Sequence, residues 1–163
     1  MGPSDRWVAR TVTPQRAETG HDWAQLLGLI RRAFAYMDGR IDPPSSLHQL
    51  TEAGLANLAK RDEVWVLGNP AVACMVLTVK PGRLYLGKLA VEPLYQRQGL
   101  GQCMVACAES RARTLHLPLL ELETRVELTE NHAFYQRLGF VEYARMAHAG
   151  FDRPTSVTYR KPL

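Results

Sequence analysis

The sequence predicts a mixed α/β sheet, mostly antiparallel, with one parallel strand pair and helices on its flanks. Three observations carry that prediction. Residues 63–92 form three β-rich apolar runs divided by Asn69-Pro70 and Pro81-Gly82, the pattern of an antiparallel meander. Residues 83–124 then read strand, helix, strand, a unit that sets its two strands parallel. Ahead of the meander lie two stretches with helical apolar spacing.

The elements follow in order. "RWVARTV" (6–12) alternates and reads as a first strand. Asp22 caps a helix over 23–37, with Leu26, Leu27, Ile30, Ala33 and Phe34 on one stripe. "DGRIDPPSS" (38–46) is a loop by its Gly, Pro and Ser content. Ser46 caps a second helix over 47–61. Strands follow at 63–68, 71–80 and 83–92. After a glycine loop, residues 101–115 return to helical spacing until Pro118. A strand over 119–124 and a helix over 129–138 come next, and Gly139 ends the helix. The last strands are 140–148 and 155–161, the latter at a sheet edge.

Bulk properties set limits. The chain has 163 residues, read as one domain over 1–163. Its net charge of +4 is too small and too dispersed for a dedicated nucleic-acid binder. Cys74, Cys103 and Cys107 form no CxxC pair, so they read as packing residues and no metal site is expected. The N-terminus "MGPSDRWVAR" lacks the apolar run of a signal peptide, and no segment has the length of a membrane span. A cytoplasmic protein with no membrane partner is the expectation.

The most informative stretch is "QRQGLG", Gln96 to Gly101, where a strand hands over to a helix. The first helical turn has amides without intrahelical acceptors, and with the helix dipole they suit a phosphate. Gly99 and Gly101 let the chain curl and let a ligand approach. Arg97 adds charge, Gln96 and Gln98 add donors, and no carboxylate lies between Glu92 and Glu109. A Walker A loop needs G-K-[ST], but Gly101 is followed by Gln102 and Cys103. A Rossmann loop needs glycine where Met104 stands. Taken alone, the loop is equally a tight strand-to-helix turn.

Two motifs at a distance resolve the ambiguity. "LAVEPLYQRQGLG" (89–101) resembles the [QR]-x-x-G-x-[GA] signature of the GNAT superfamily of N-acetyltransferases, matched by Gln96, Gly99 and Gly101. "ENHAFYQRLGF" (130–140) resembles its second signature through Asn131, Tyr135, Leu138, Gly139 and Phe140. The resemblance implies a central parallel pair that splays apart, 84–91 against 119–124. It implies acetyl-CoA as co-substrate. The pyrophosphate would lie on Gln96, Arg97, Gln98, Gly99, Leu100, Gly101 and Gln102. The pantetheine arm would pair with Leu89, Ala90 and Val91 and bond to Asn131. An extended amide chain adds to a strand edge as a peptide does.

The implied reaction is direct acetyl transfer to a primary amine in a ternary complex. The leaving thiolate benefits from an acid, and the resemblance places Tyr135 there. Tyr135 reads alternatively as aromatic packing on a short helix. Glu121 and Glu123 share one face of their strand. Glu123 is the candidate base, against the reading that both carboxylates pair with arginines such as Arg83 or Arg125. Glu92 is a weaker candidate. The acceptor, a small molecule or a protein, would meet loop 38–46 and the last hairpin, where His148, Phe151 and Asp152 could line a pocket. A catalytically inactive acyl-CoA sensor is the alternative. A homodimer through the 155–161 edge stays open.

Overall fold

The computed structural model describes residues 13–163. The strand expected over 6–12 lies outside those residues. Among the described residues, seven strands and four α-helices follow one another as β1 (Gln15–Arg16), α1 (Trp23–Phe34), α2 (Glu52–Arg61), β2 (Glu63–Leu67), β3 (Ala73–Lys80), β4 (Arg83–Val91), α3 (Leu100–Thr114), β5 (Leu119–Arg125), α4 (Thr129–Arg137), β6 (Val141–Met146) and β7 (Ser156–Pro162). The strands form one sheet in the order β1-β2-β3-β4-β5-β7-β6. Every neighbouring pair is antiparallel except β4 and β5. This is the mixed, mostly antiparallel sheet that the sequence predicts.

Helices cover the sheet on both faces. Asp22 accepts from the Gln25 amide at 3.1 Å and starts α1. Leu26, Leu27, Leu29, Ile30 and Ala33 then bury a stripe over Val64, Val66, Cys74, Val76 and Ala90. On the opposite face α3 lays Leu100, Met104, Val105, Ala108 and Ala112 over Leu77, Leu84, Leu86, Leu120 and Leu122. Each large apolar side chain buried this way contributes roughly 1.5–3 kcal/mol. The two helical layers cover the centre of the sheet from both faces.

The parallel pair opens toward its C-terminal ends. Only Leu84↔Leu120 and Tyr85↔Glu121 pair across β4 and β5. From Leu86 to Val91, β4 has no β5 partner, although β3 still pairs its other edge. A β-bulge sits in this stretch: between Cys74↔Ala90 and Val76↔Gly87, β4 carries one residue more than β3. Lys88 takes φ +51° there. A bulge bends and twists its strand. Here it does so three residues beyond the last β5 pair.

Two expectations are corrected. The strand at 155–161 is not an edge: β7 lies between β5 and β6, with Val157 and Tyr159 buried. Its β-branched and aromatic residues fit an interior slot, whereas β6 exposes most of its residues and takes the edge. A strand-to-strand dimer through β7 is therefore ruled out by topology. The helix expected over 47–61 is broken. Ser46–Gln49 is a single 3₁₀ turn capped by Ser45, Leu50 is extended, and Thr51 caps α2 by accepting from the Gly54 amide at 3.0 Å. A hydroxyl that bonds its own local backbone restarts the helix rather than continuing it.

Candidate active site

The cleft between β4 and β5 ends at the N-terminus of α3. Gly99 is the N-cap with φ +82°, and a Cβ placed there meets nothing within 4 Å. The first intrahelical bond at this end runs from the Cys103 amide to the Gly99 carbonyl at 3.0 Å. The amides of Leu100, Gly101 and Gln102 precede it, and no acidic residue lies in that turn. An open cradle with three amides unclaimed among the described residues fits an anion. Arg97, exposed and at φ +64°, belongs to the same loop.

The other loop residues divide by role. The side-chain amide of Gln96 donates to the Val91 carbonyl at 3.2 Å, so it shapes the loop while the residue stays exposed. The side-chain oxygen of Gln98 is buried without a hydrogen-bond partner among the described residues. Gly101 is closely packed: a Cβ there meets Phe134 Cζ at 3.2 Å, so the ring would have to give by a few tenths of an ångström. The loop and α4 thus touch directly. Leu89 and Val91 are half-buried along the open edge of β4, while Ala90 is buried under α1.

At the fork of the cleft three tyrosines converge. Tyr135, on α4, packs edge-on against Phe134 and Phe140. Burial, then the neighbouring Tyr36 and Tyr85, push its phenol far above the usual range. Burial and then Glu123 and Glu121 do the same to Tyr85, whose phenol lies beside the Glu123 main chain. All three rings stay protonated at neutral pH. Asn131 bridges the cluster. Its amide donates to the Tyr36 hydroxyl at 3.1 Å and lies 3.5 Å from Thr124 Oγ1.

The carboxylates separate cleanly. Glu121 is buried between Arg83 and Arg160, at 3.0 and 2.8 Å. Burial raises its carboxyl, the two guanidiniums lower it further, and the net shift is downward. Glu92 holds Arg32 of α1 through two bonds, at 2.9 and 2.8 Å. Both are structural carboxylates. Glu123 is exposed and takes no ion pair among the described residues. Arg125, the other arginine considered for it, instead donates to the Pro43 carbonyl at 2.6 Å.

Loop 38–46 is strapped over this end of the sheet. Arg40 grips Glu130 at 2.6 and 3.0 Å, the Asp42 amide donates to Glu127 at 3.0 Å, and Arg153 meets Asp42 at 3.2 Å. His148 is bound by Thr155 across the last hairpin and is not free to face the cleft. Reasoning from sequence missed Tyr36, Tyr85, Thr124 and His132. His132 fixes α4 in place: Tyr159 donates to its Nδ1 at 2.7 Å, and its Nε2–H donates to the Arg125 carbonyl at 2.9 Å. The alternation of β4 places Tyr85 on the face of Gly87, which was a usable signal. Tyr36 had none, because its position depends on where α1 stops.

This architecture is that of an acetyltransferase. The family model for the acetyltransferase (GNAT) domain matches residues 60–142, and the chain belongs to that family. It is similar to N-alpha-acetyltransferase 30 of Saccharomyces cerevisiae, 31% identical over 83 residues. That match covers 48% of this chain and 47% of the yeast protein, so the similarity spans about half of each. Among solved structures, the PaiA N-acetyltransferase from Thermoplasma acidophilum, in complex with coenzyme A, superposes with a TM-score of 0.76 at 13% identity, covering 93% of this chain and 99% of that one. The ribosomal-protein-S18-alanine N-acetyltransferase from Escherichia coli gives 0.71 at 23% identity, covering 93% of each chain. At those identities the two structures speak to the fold. No helix among the described residues is long and apolar enough to cross a membrane.

Proposed function

We propose that this protein, acting as one unit, transfers the acetyl group of acetyl-CoA to a primary amine by direct attack in a ternary complex. The observation that carries this is the open edge of β4, continuous with the Gly99-capped amides of α3. An extended pantetheine amide chain suits the first and its pyrophosphate suits the second. Leu89, Ala90 and Val91 supply the edge, and the segment from Gln96 to Gln102 the cradle.

The remaining roles follow from the chemistry. The amine must be neutral when it attacks the thioester carbonyl. A new C–N bond forms, the C–S bond breaks, and the thiolate takes a proton. Tyr135 is the donor, because its phenol is protonated and makes no protein hydrogen bond among the described residues. Glu123 receives the proton that the amine loses, as the carboxylate beside the fork that no arginine holds among the described residues. Asn131 positions the pantetheine arm. The similarity to an N-alpha-acetyltransferase makes a peptide α-amine the acceptor class to test first.

Calorimetric titration with acetyl-CoA, with free ATP as control, tests the binding half. Thiol release on adding peptides with free N-termini tests the transfer. Micromolar binding with amine-dependent release is the expected result. Binding without release from any amine leaves an acyl-CoA sensor. Absence of acetyl-CoA binding removes the proposal.

A further inference from the structure

Helix α4 carries both Asn131 and Tyr135, yet burial does little to hold it. It is nine residues long, none of them fully buried, and no side chain caps its N-terminus. A helix this short is marginal by itself, so its contacts decide where its side chains stand. The Arg40–Glu130 pair is exposed, and exposed pairs hold position weakly. Phe134 rests on Gly101, a contact without direction.

Directional bonds to the sheet come from His132 instead. The Arg125 carbonyl can only accept, so Nε2 carries the imidazole proton and Nδ1 is left to accept from the Tyr159 hydroxyl. The two rings meet edge to face with centroids 5.5 Å apart. Gln136, one turn further along α4, hydrogen-bonds the same hydroxyl. Both anchor points belong to the sheet. Tyr159 is 1% exposed on the interior strand β7, and Arg125 closes β5, where it pairs with Ser156. His132 thus ties α4 to two neighbouring strands. Asn131 directly precedes it, and Tyr135 follows three residues later, about 4.5 Å along the helix.

We infer that His132 is a positioning residue for acetyl transfer, with the Tyr159 hydroxyl as the fixed point from which it sets the Tyr135 phenol. It acts through α4 and not on the reacting atoms. A misplacement of about 1 Å at a reacting group costs up to about a hundredfold in rate. The inference rests on Tyr135 being the proton donor. It adds that turnover depends on a buried hydroxyl of β7, a strand that does not border the cleft.

The test measures kcat and KM with a free-N-terminus peptide as acceptor, and acetyl-CoA affinity by calorimetry, on the full chain. The variants are His132→Phe, His132→Asn and Tyr159→Phe, each also combined with Tyr135→Phe. His132→Phe and Tyr159→Phe should each lower kcat by about tenfold, with KM and acetyl-CoA affinity within about threefold of the wild type. His132→Asn, whose side chain can accept from Tyr159, should recover most of the loss. In the Tyr135→Phe background the same substitutions should cost less than about twofold more, because the group they position is gone. Tyr159→Phe keeps the ring packing, so it carries the test if His132→Phe does not fold. A wild-type kcat in folded Tyr159→Phe, or the full loss repeated without the Tyr135 hydroxyl, overturns the positioning role and leaves the acetyltransferase proposal intact. Absence of amine-dependent thiol release in the wild type removes that proposal and this inference with it.

Discussion

Replacing Gly99 by Asp or by Asn separates the electrostatics of the cradle from its geometry. Gly99 sits at φ +82° with open space around its Cβ, so either side chain meets backbone strain but no clash. Left-handed backbone costs about 1–2 kcal/mol for most residues, and Asn and Asp bear it best. Either side chain can also accept from the free amides of α3, a capping contribution of about 1 kcal/mol. The two effects nearly cancel, so melting points should move by less than about 4 °C. Binding should respond differently. Unit charges about 4 Å apart repel by about 1 kcal/mol in water and about 4 kcal/mol in a protein-surface environment. A value midway costs Asp about a hundredfold in acetyl-CoA affinity, whereas uncharged Asn should lose only a few-fold. Calorimetry at low and at 0.5 M salt reads both variants. The Asp–Asn gap should narrow at high salt, as screening shortens. Indistinguishable affinities in two folded variants would refute the claim that the cradle holds an anion.

Four further outcomes are expected. Tyr135→Phe should lower turnover about a hundredfold, the low end for a lost general acid, with acetyl-CoA affinity by calorimetry nearly unchanged. Glu123→Gln should reduce kcat/KM for the amine by about tenfold or more, without affecting acetyl-CoA binding. Glu121→Ala strands two arginines and should destabilise the fold by about 3 kcal/mol in urea unfolding. Because its folded carboxyl is lowered from 4.5, the wild-type contribution is complete above that value and is lost as pH falls through the lowered one. Gly101→Ala pushes on the Phe134 ring at 3.2 Å and should cost about 1 kcal/mol in thermal melts.

What the sequence disclosed and what it withheld have a common physical origin. Periodicity marks α1, α3 and the β2–β4 meander, because each buries one continuous stripe that the residue order displays. Gly99 and Gly139 were legible as backbone positions, and both take positive φ, at 82° and 95°. The fate of the carboxylates was not legible. Glu121 and Glu123 have the same spacing and the same face, and only the arrival of Arg83 and Arg160 from other strands distinguishes them. Tyr36 and His132 escaped for a related reason. Their partners lie 95 and 27 residues away, across elements whose docking no local pattern encodes. The internal place of β7 was masked by its position near the chain end, although "SVTY" carried the β-branched and aromatic character of an interior strand.

The fork in the sheet has a mechanical consequence. The strands divide into two plates, β1 to β4 and β5 to β6 by way of β7, joined edge to edge at Leu84 and Tyr85 only. Across most of the seam, a helix carries the load that hydrogen bonds carry elsewhere. Met104, Val105 and Ala108 of α3 lie in one apolar cluster with residues of both plates, like a beam under a cracked floor. A molecule lying in the crack would do what an eighth strand does, tying the plates along their open length. The protein is then stiffest when occupied, and those amides between Leu86 and Val91 that face the seam rather than β3 should exchange with solvent slowly only while the seam is filled.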